Sequence, residues 1–146
     1  MSHVATIAVE VNDLEALRAA CGKLGLEFRE GQKSYRWYGT HVGDFPLPEG
    51  FTADELGKCE HAIAIPNKPG AYEVGIVWRD GKFRLLWDFW AGGRGLQAAI
   101  GDDGKKLKVA YAIERARIVA RQTGHTIREV RRADGSTVLE LMKARG

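Results

Sequence analysis

One stretch of the sequence combines an acid, aromatic rings, glycines and a guanidinium within nine residues, Trp87–Gly95. Glycines ahead of a helix let backbone N–H groups approach an anion, and a helix N-terminus favours negative charge. The spacing matches neither the Rossmann fingerprint nor a P-loop. Aromatic residues at strand spacing also serve packing, so the alternative is a core strand with an Asp–Arg pair and a tight turn. The candidates for ligand or anion binding are Asp88, Trp90 and Arg94.

A second pattern, Tyr35-Arg36-Trp37-Tyr38, interleaves aromatic rings with a cation. Proteins that bind single strands use such rings to stack bases and cations to contact phosphates. Residues 105–146 carry 11 basic and 4 acidic side chains, a balance of +7, whereas residues 1–104 carry 11 basic and 15 acidic, a balance of −4. The basic residues occupy at least two helix faces and no recognition motif is present, so a solvated face is the alternative. The candidates for nucleic-acid binding are Tyr35, Arg36, Trp37, Arg117 and Arg121.

Cysteine and histidine offer a weaker case for chemistry. Cys59 and His61, with His41 and Asp44, are the residues available for a metal, but zinc usually takes four ligands with paired short spacings. Cys59 also lacks the surroundings of a known cysteine-enzyme signature. The sequence therefore predicts no catalytic residue, no metal and no cofactor.

Hydrophobic periodicity predicts the first elements that position these residues. His3–Val11 alternates apolar and polar residues, which indicates a half-buried strand. Asn12 is then the expected N-cap of a helix, with Glu15 completing a capping box, and Gly25 is the expected left-handed residue after its end. A second strand is expected from Leu26 onward.

The middle of the chain is irregular. Residues 32–38 are predicted to be extended, and residues 39–60 contain glycines and prolines without any period. A long connection of this kind is usually functional or packed by its own side chains. We expect Phe45, Leu47 and Phe51 to pack it, so the loop should be ordered.

Two Asp-Gly pairs, Asp80-Gly81 and Asp134-Gly135, each lie between alternating hydrophobic runs. This pattern favours tight turns with positive φ and predicts two β-hairpins. Between them, a long helix is expected from about Lys105 to Thr123, ended by Gly124.

The apolar residues of that long helix fall on two sides of a helical wheel. A helix that is apolar on two sides is wedged between two layers or covered by a partner. One stripe consists of Val109, Ala112, Ile113, Ala116 and Ala120, and the roughly opposite stripe, which we take as the partner-interface candidates, consists of Leu107, Tyr111 and Ile118.

The composition limits the class of protein. The chain has 146 residues, of which 45% are hydrophobic and 28% charged, as expected for one globular domain, 1–146, rather than a disordered chain. No apolar stretch approaches the roughly 20 residues of a membrane-spanning helix. Two cysteines and the absence of a visible secretory signal favour a reduced, cytoplasmic setting. The order of elements predicts an α+β fold, a mostly antiparallel sheet with two main helices packed on it, with a ferredoxin-like core that carries an inserted loop and hairpin.

Several segments together resemble a known family. They are Met1-Ser2-His3, Cys59-Glu60-His61-Ala62-Ile63, Tyr72-Glu73-Val74-Gly75-Ile76, Leu86-Trp87-Asp88-Phe89-Trp90, Tyr111-Ala112 and Asp134-Gly135-Ser136. Over nearly its full length the chain is similar to an uncharacterised family conserved among bacteria, cyanobacteria and algal plastids and carried by phages. Its plastid members are named only as a hypothetical chloroplast reading frame, and its bacterial members as a domain of unknown function. The resemblance implies no activity or catalytic residue, but it implies an AAA-type ATPase as a partner, because some bacterial relatives are thought to lie beside such a gene.

These observations favour a non-catalytic binding or adaptor domain that acts with a protein partner. The alternative is a domain that binds single-stranded nucleic acid through basic and aromatic residues. A third hypothesis is a small enzyme, and it requires Asp88, Arg94 and His61 to converge on one pocket.

Overall fold

The computed structural model describes residues 2–143, which begin with a strand, a helix and a strand. These are β1 (Val4–Val11), α1 (Leu14–Lys23) and β2 (Glu27–Glu30). Asp13, rather than the predicted Asn12, caps α1, because its side chain accepts a hydrogen bond from the Ala16 N–H at 3.1 Å. The main chain of Asn12 instead donates to the hydroxyl of Tyr111. Gly25 follows the helix with φ +70°, as predicted.

Three further strands complete a five-stranded antiparallel sheet. They are β3 (His61–Ala64), β4 (Val74–Arg79) and β5 (Lys82–Asp88), and the order across the sheet is β1-β5-β4-β3-β2. Asp80 and Gly81, with φ of 56° and 78°, form the two-residue turn between β4 and β5. Positive φ at both positions is the geometry that Asp-Gly favours, so this hairpin prediction is confirmed.

The last third of the chain leaves the sheet. It consists of α2 (Leu96–Ile100), α3 (Lys105–Gln122), β6 (His125–Arg131) and β7 (Thr137–Lys143). The strands β6 and β7 pair only with each other in the described chain and form a second hairpin, which we call the terminal hairpin. Within residues 2–143, no helix is both long and apolar enough to cross a membrane.

The α+β prediction is confirmed by this mixture of helices and antiparallel sheets. The ferredoxin-like detail is not confirmed. Such a core has the order β-α-β-β-α-β within one sheet. Here the strand that follows α3 pairs in a separate two-stranded sheet.

Both faces of the five-stranded sheet are covered. On one face α1 and α3 pack against buried residues that include Ile7, Ile76 and Leu85. On the other face the loop before β3 supplies Tyr35 and Phe51. The loop is therefore packed as expected, although Leu47 stays exposed and residues 32–38 form no strand beyond a single bridge between Ser34 and Lys58.

Candidate functional site

Asp88 is the most deeply buried of the predicted site residues. It ends β5 and is fully buried. Its Oδ1 accepts hydrogen bonds from the backbone N–H groups of His3 and Trp90, both at 3.0 Å, and its Oδ2 accepts one from the N–H of Tyr38 at 3.1 Å. A buried carboxylate needs such partners, and these three join separate segments of the chain. Asp88 therefore holds the fold together and is not available to a ligand, which corrects its prediction as a binding residue.

Trp90 and Arg94 do lie together at the surface. The turn between them is left-handed, with φ of 52° at Ala91 and at Arg94. The Arg94 guanidinium carbon lies 5.7 Å from the Trp90 ring centroid and 5.8 Å from that of Tyr72. Tyr38 packs edge-on against Trp90 at 5.8 Å and is 43% exposed. We call Tyr38, Trp90 and Arg94 the aromatic corner. Within residues 2–143, no ion pair joins Arg94 to Asp88.

Tyr35 and Trp37, predicted to stack on bases, are turned into the protein instead. The ring of Tyr35 lies over Gly75, where an added Cβ would come within 2.1 Å of its Cδ1 atom. Trp37 packs in the same way over Gly57. Burial raises the pKa of the Tyr35 hydroxyl to about 12. The buried Tyr35 ring cannot stack on a base, so its prediction is wrong. Trp37 is half-buried against the same layer, and Tyr38 is the exposed ring of the run.

The two arginines predicted on α3 differ in their surroundings. Arg117 bonds to Glu129 of β6 and lies 3.8 Å from the carboxylate of Glu114, so it holds the terminal hairpin to α3. Arg121 is exposed in the last turn of the helix. Arg117 is therefore occupied by internal ion pairs and is a poor contact for nucleic acid.

The stripe of α3 predicted to meet a partner is the one that the protein buries. Leu107, Tyr111 and Ile118 belong to the core that α1 and the sheet form. Their prediction as an interface is therefore wrong, because intramolecular packing already covers them. The opposite stripe is more open: Val109 is 47% exposed and Ile113 is half-buried.

A groove of about 430 Å³ lies along this open side, between the end of α1, α3 and the terminal hairpin. Glu114 lies 3.9 Å from Lys23 and 3.8 Å from Arg117, and Glu129 bonds to Arg117, so both carboxylates at the groove have cationic partners. Within residues 2–143, no carboxylate lies within 4.0 Å of the charged groups of Lys105, Lys106 and Arg131. We call this the α3–hairpin groove; its floor consists of Leu24, Val109, Ala110 and Ile113, and its cationic rim of Lys105, Lys106 and Arg131.

Cys59 and His61 have structural partners. The Cys59 thiol donates to the carbonyl of Gln32 at 3.2 Å, and burial raises its pKa to about 11. His61 Nδ1 accepts a hydrogen bond from the Gly31 N–H at 2.9 Å. In the described part of the chain, no three His, Cys, Asp or Glu side chains gather in a way that could hold a metal ion.

The sheet register separates two of the three residues that the enzyme hypothesis requires to converge, His61 and Asp88. His61 lies opposite Ile76, which lies opposite Leu85. Asp88 thus lies two strands away from His61 and three residues further along the strand. At ordinary strand spacing this is a main-chain separation of about 14 Å. His61 and Asp88 do not share one pocket at that separation, and the enzyme hypothesis loses its proposed site.

Comparison of the chain with family models, with curated proteins and with solved structures finds no match. The aromatic corner and the α3–hairpin groove are the two candidate binding surfaces.

Proposed function

We propose that this chain is a non-catalytic binding module that holds a segment of a partner protein in the α3–hairpin groove. The observation that carries the proposal is the apolar floor of the groove, which lies open on a helix whose other side is closed. Burial of apolar surface is the main favourable contribution to most protein association. Val109 and Ile113 offer such surface at i, i+4 spacing, where a facing helix can pack its own apolar side chains.

The rim charges define the chemistry of the partner. Lys105, Lys106 and Arg131 line the groove beside its apolar residues, and Lys106 Nζ donates to the Ala98 carbonyl at 3.1 Å. Residues 105–146 as a whole carry a balance of +7. Complementary charge speeds encounter and excludes partners of like charge. The proposed segment is therefore an amphipathic helix with apolar residues on one side and acidic residues beside them. The family resemblance makes an AAA-type ATPase the first protein in which to look for it.

The non-catalytic part of the proposal is supported by the use that the fold makes of its reactive groups. The carboxylate of Asp88 is occupied by three main-chain donors. The Cys59 thiol, with its pKa near 11, stays protonated at neutral pH and is therefore a weak nucleophile. Both groups stabilise the fold where they stand.

The proposal is tested by placing a photo-crosslinking amino acid at Val109 in cells of the source organism. The matched control places it at Val42, which is similarly exposed in the loop before β3. We expect a partner to crosslink from position 109 and not from position 42. Mass spectrometry of the linked peptide should show acidic and apolar residues at helical spacing.

Charge reversal distinguishes this interface from non-specific association. The double change Lys105→Glu and Lys106→Glu should abolish the crosslink, whereas Arg121→Glu, elsewhere on α3, should preserve it. A crosslink that survives the double reversal, one to a second copy of this chain, or none above the Val42 control would each contradict the proposal.

A further inference from the structure

The aromatic corner has the components of a second binding surface, built from residues outside α3 and the terminal hairpin. Tyr38 presents an exposed ring whose aromatic neighbour is Trp90. The Arg94 guanidinium lies over Trp90 on the same surface. Nucleobases stack on aromatic rings and on planar guanidinium groups.

Two further cations are brought to this corner by the segment between β3 and β4. Arg36 Nη1 donates to the carbonyl of Ala71 at 2.8 Å, and the next residue, Tyr72, donates its N–H to the carbonyl of Gly93 at 3.0 Å. Lys68 Nζ lies 3.9 Å from the place where a Cβ on Gly95 would stand. Lys68 and Arg36 also line one cavity of about 180 Å³, together with Arg29.

The carboxylates of this region are turned inward. Glu73 is 3% exposed, and its carboxylate accepts hydrogen bonds from Arg29 Nη1 at 3.0 Å and from the Arg36 N–H at 2.7 Å. Asp88 is likewise satisfied by main-chain donors. Within residues 2–143, no carboxylate lies within 4.0 Å of the charged groups of Lys68 or Arg94. Arg36 Nη1 lies 4.0 Å from the Glu73 carboxylate, which Arg29 also contacts at 3.0 Å, so two guanidinium groups share one carboxylate. The surface is therefore cationic as well as aromatic.

We infer that the aromatic corner binds a nucleotide unit, with the base on Tyr38 and Arg94 and the phosphate beside Lys68 and Arg36. The same chemistry occurs in a free nucleotide and in one unit of a single strand. The site differs from the one expected from the sequence, because Tyr35 is buried and Trp37 is half-buried. It is independent of the α3–hairpin groove, so failure of either proposal leaves the other standing.

Binding is measured by fluorescence anisotropy of labelled oligodeoxythymidylate with the full chain at low salt. We expect a Kd in the micromolar range, as is usual for binding dominated by phosphate contacts. With two cations at the phosphate, Lys68 and Arg36, the slope of log K against log salt should be about −1.4, at roughly 0.7 for each single-strand contact.

Competitors distinguish the two sources of the ligand. Displacement of the oligonucleotide by thymidine monophosphate indicates a free nucleotide, and displacement only by longer oligothymidylates indicates a single strand; both support the inference. Displacement by inorganic phosphate at the same concentration as the monophosphate would show that the base makes no contact, and this would overturn it.

Variants assign the contacts. Tyr38→Ala should weaken binding about tenfold through loss of stacking, whereas Tyr38→Phe keeps the ring and should bind as before. Arg94→Asn removes the guanidinium but tolerates the positive φ, and it should weaken binding as well. The control Arg121→Gln should leave the affinity unchanged. Absence of oligonucleotide binding at low salt would overturn the inference. So would an affinity of Tyr38→Ala or Arg94→Asn that equals that of the unsubstituted chain.

Discussion

The two sides of α3 have opposite roles in the molecule. Leu107 and Ile118 face α1 and the sheet and belong to the main core, whereas Val109 and Val119 are exposed on other sides of the helix. In the described part of the terminal hairpin no residue is fully buried, and Leu141 is 66% exposed. The hairpin therefore covers α3 only in part. One helix therefore supplies stability through one side and leaves apolar surface open on another.

The largest loss of stability should come from truncating a side chain on the side of α3 that faces α1 and the sheet. Leu107→Ala removes a fully buried side chain and should lower the free energy of unfolding by about 2–5 kcal/mol. Val109→Ala, on the open side, should change it by less than about 1 kcal/mol. Urea unfolding of both variants, with the slope m unchanged, measures the difference. Equal losses would mean that the two sides have been assigned wrongly.

The next largest loss of stability should come from alkaline pH. Burial raises the pKa of the Cys21 thiol from 9.0 to about 12 and that of the Cys59 thiol to about 11. An unfolded thiol releases its proton near pH 9, whereas these hold theirs, so the unfolded state binds fewer protons above that pH. Stability should therefore be level up to about pH 8 and fall as the pH rises from 9 toward 11. Urea unfolding at pH 8, 9 and 10 tests this, and Cys21→Ala should make the decline shallower. A stability that rises over this range would contradict the assignment of buried thiols.

A smaller effect is expected from the single hydroxyl on the closed side. Tyr111 accepts a hydrogen bond from the main chain of Asn12 at 3.3 Å, and Tyr111→Phe leaves that donor without its partner. Tyr111→Phe should lower the free energy of unfolding by about 1 kcal/mol. Tyr38→Phe is the matched control, because the Tyr38 side chain is partly in water. This substitution should leave the free energy of unfolding almost unchanged. Thermal or urea unfolding of Tyr111→Phe and Tyr38→Phe measures the two losses of stability. Equal losses would mean that the Tyr111 hydroxyl makes no stabilising hydrogen bond.

The smallest effect on stability should come from the open side itself. Val109→Lys places a charge where water already reaches and should change the free energy of unfolding by about 0.5 kcal/mol or less. With the photo-crosslinking amino acid placed at Ile113 of the same groove, Val109→Lys should abolish the crosslink to the partner. If Val109→Lys unfolds the chain, the groove is part of the core and not a place for a partner.

Local patterns in the sequence predicted the elements well. The two Asp-Gly pairs give hairpins, and the period of α3 gives a helix, because turn chemistry and helical spacing are set by neighbours along the chain. The side of α3 that turns inward could not be found in this way. Both stripes are apolar, and the choice depends on distant contacts such as that of Gly104 with Ile7, where an added Cβ would lie only 2.8 Å away.

The candidate sites were harder to predict for the same reason. Tyr35 and Trp37 carry the pattern of an exposed binding strip, yet the loop that holds them folds over the sheet. Asp88 has the chemistry of a site residue, but three main-chain donors from separate segments occupy its carboxylate. Trp90 and Arg94 do lie at the surface, because the left-handed turn between them keeps both outside the core.

The close approach of the Tyr35 ring to Gly75 couples two positions that lie far apart in the sequence. Any side chain at position 75 would collide with the ring, so a tyrosine at 35 demands glycine at 75. Chains that share this architecture should therefore keep both residues or exchange both at once. That paired substitution is a signature by which distant relatives could be recognised after their other similarities have been lost.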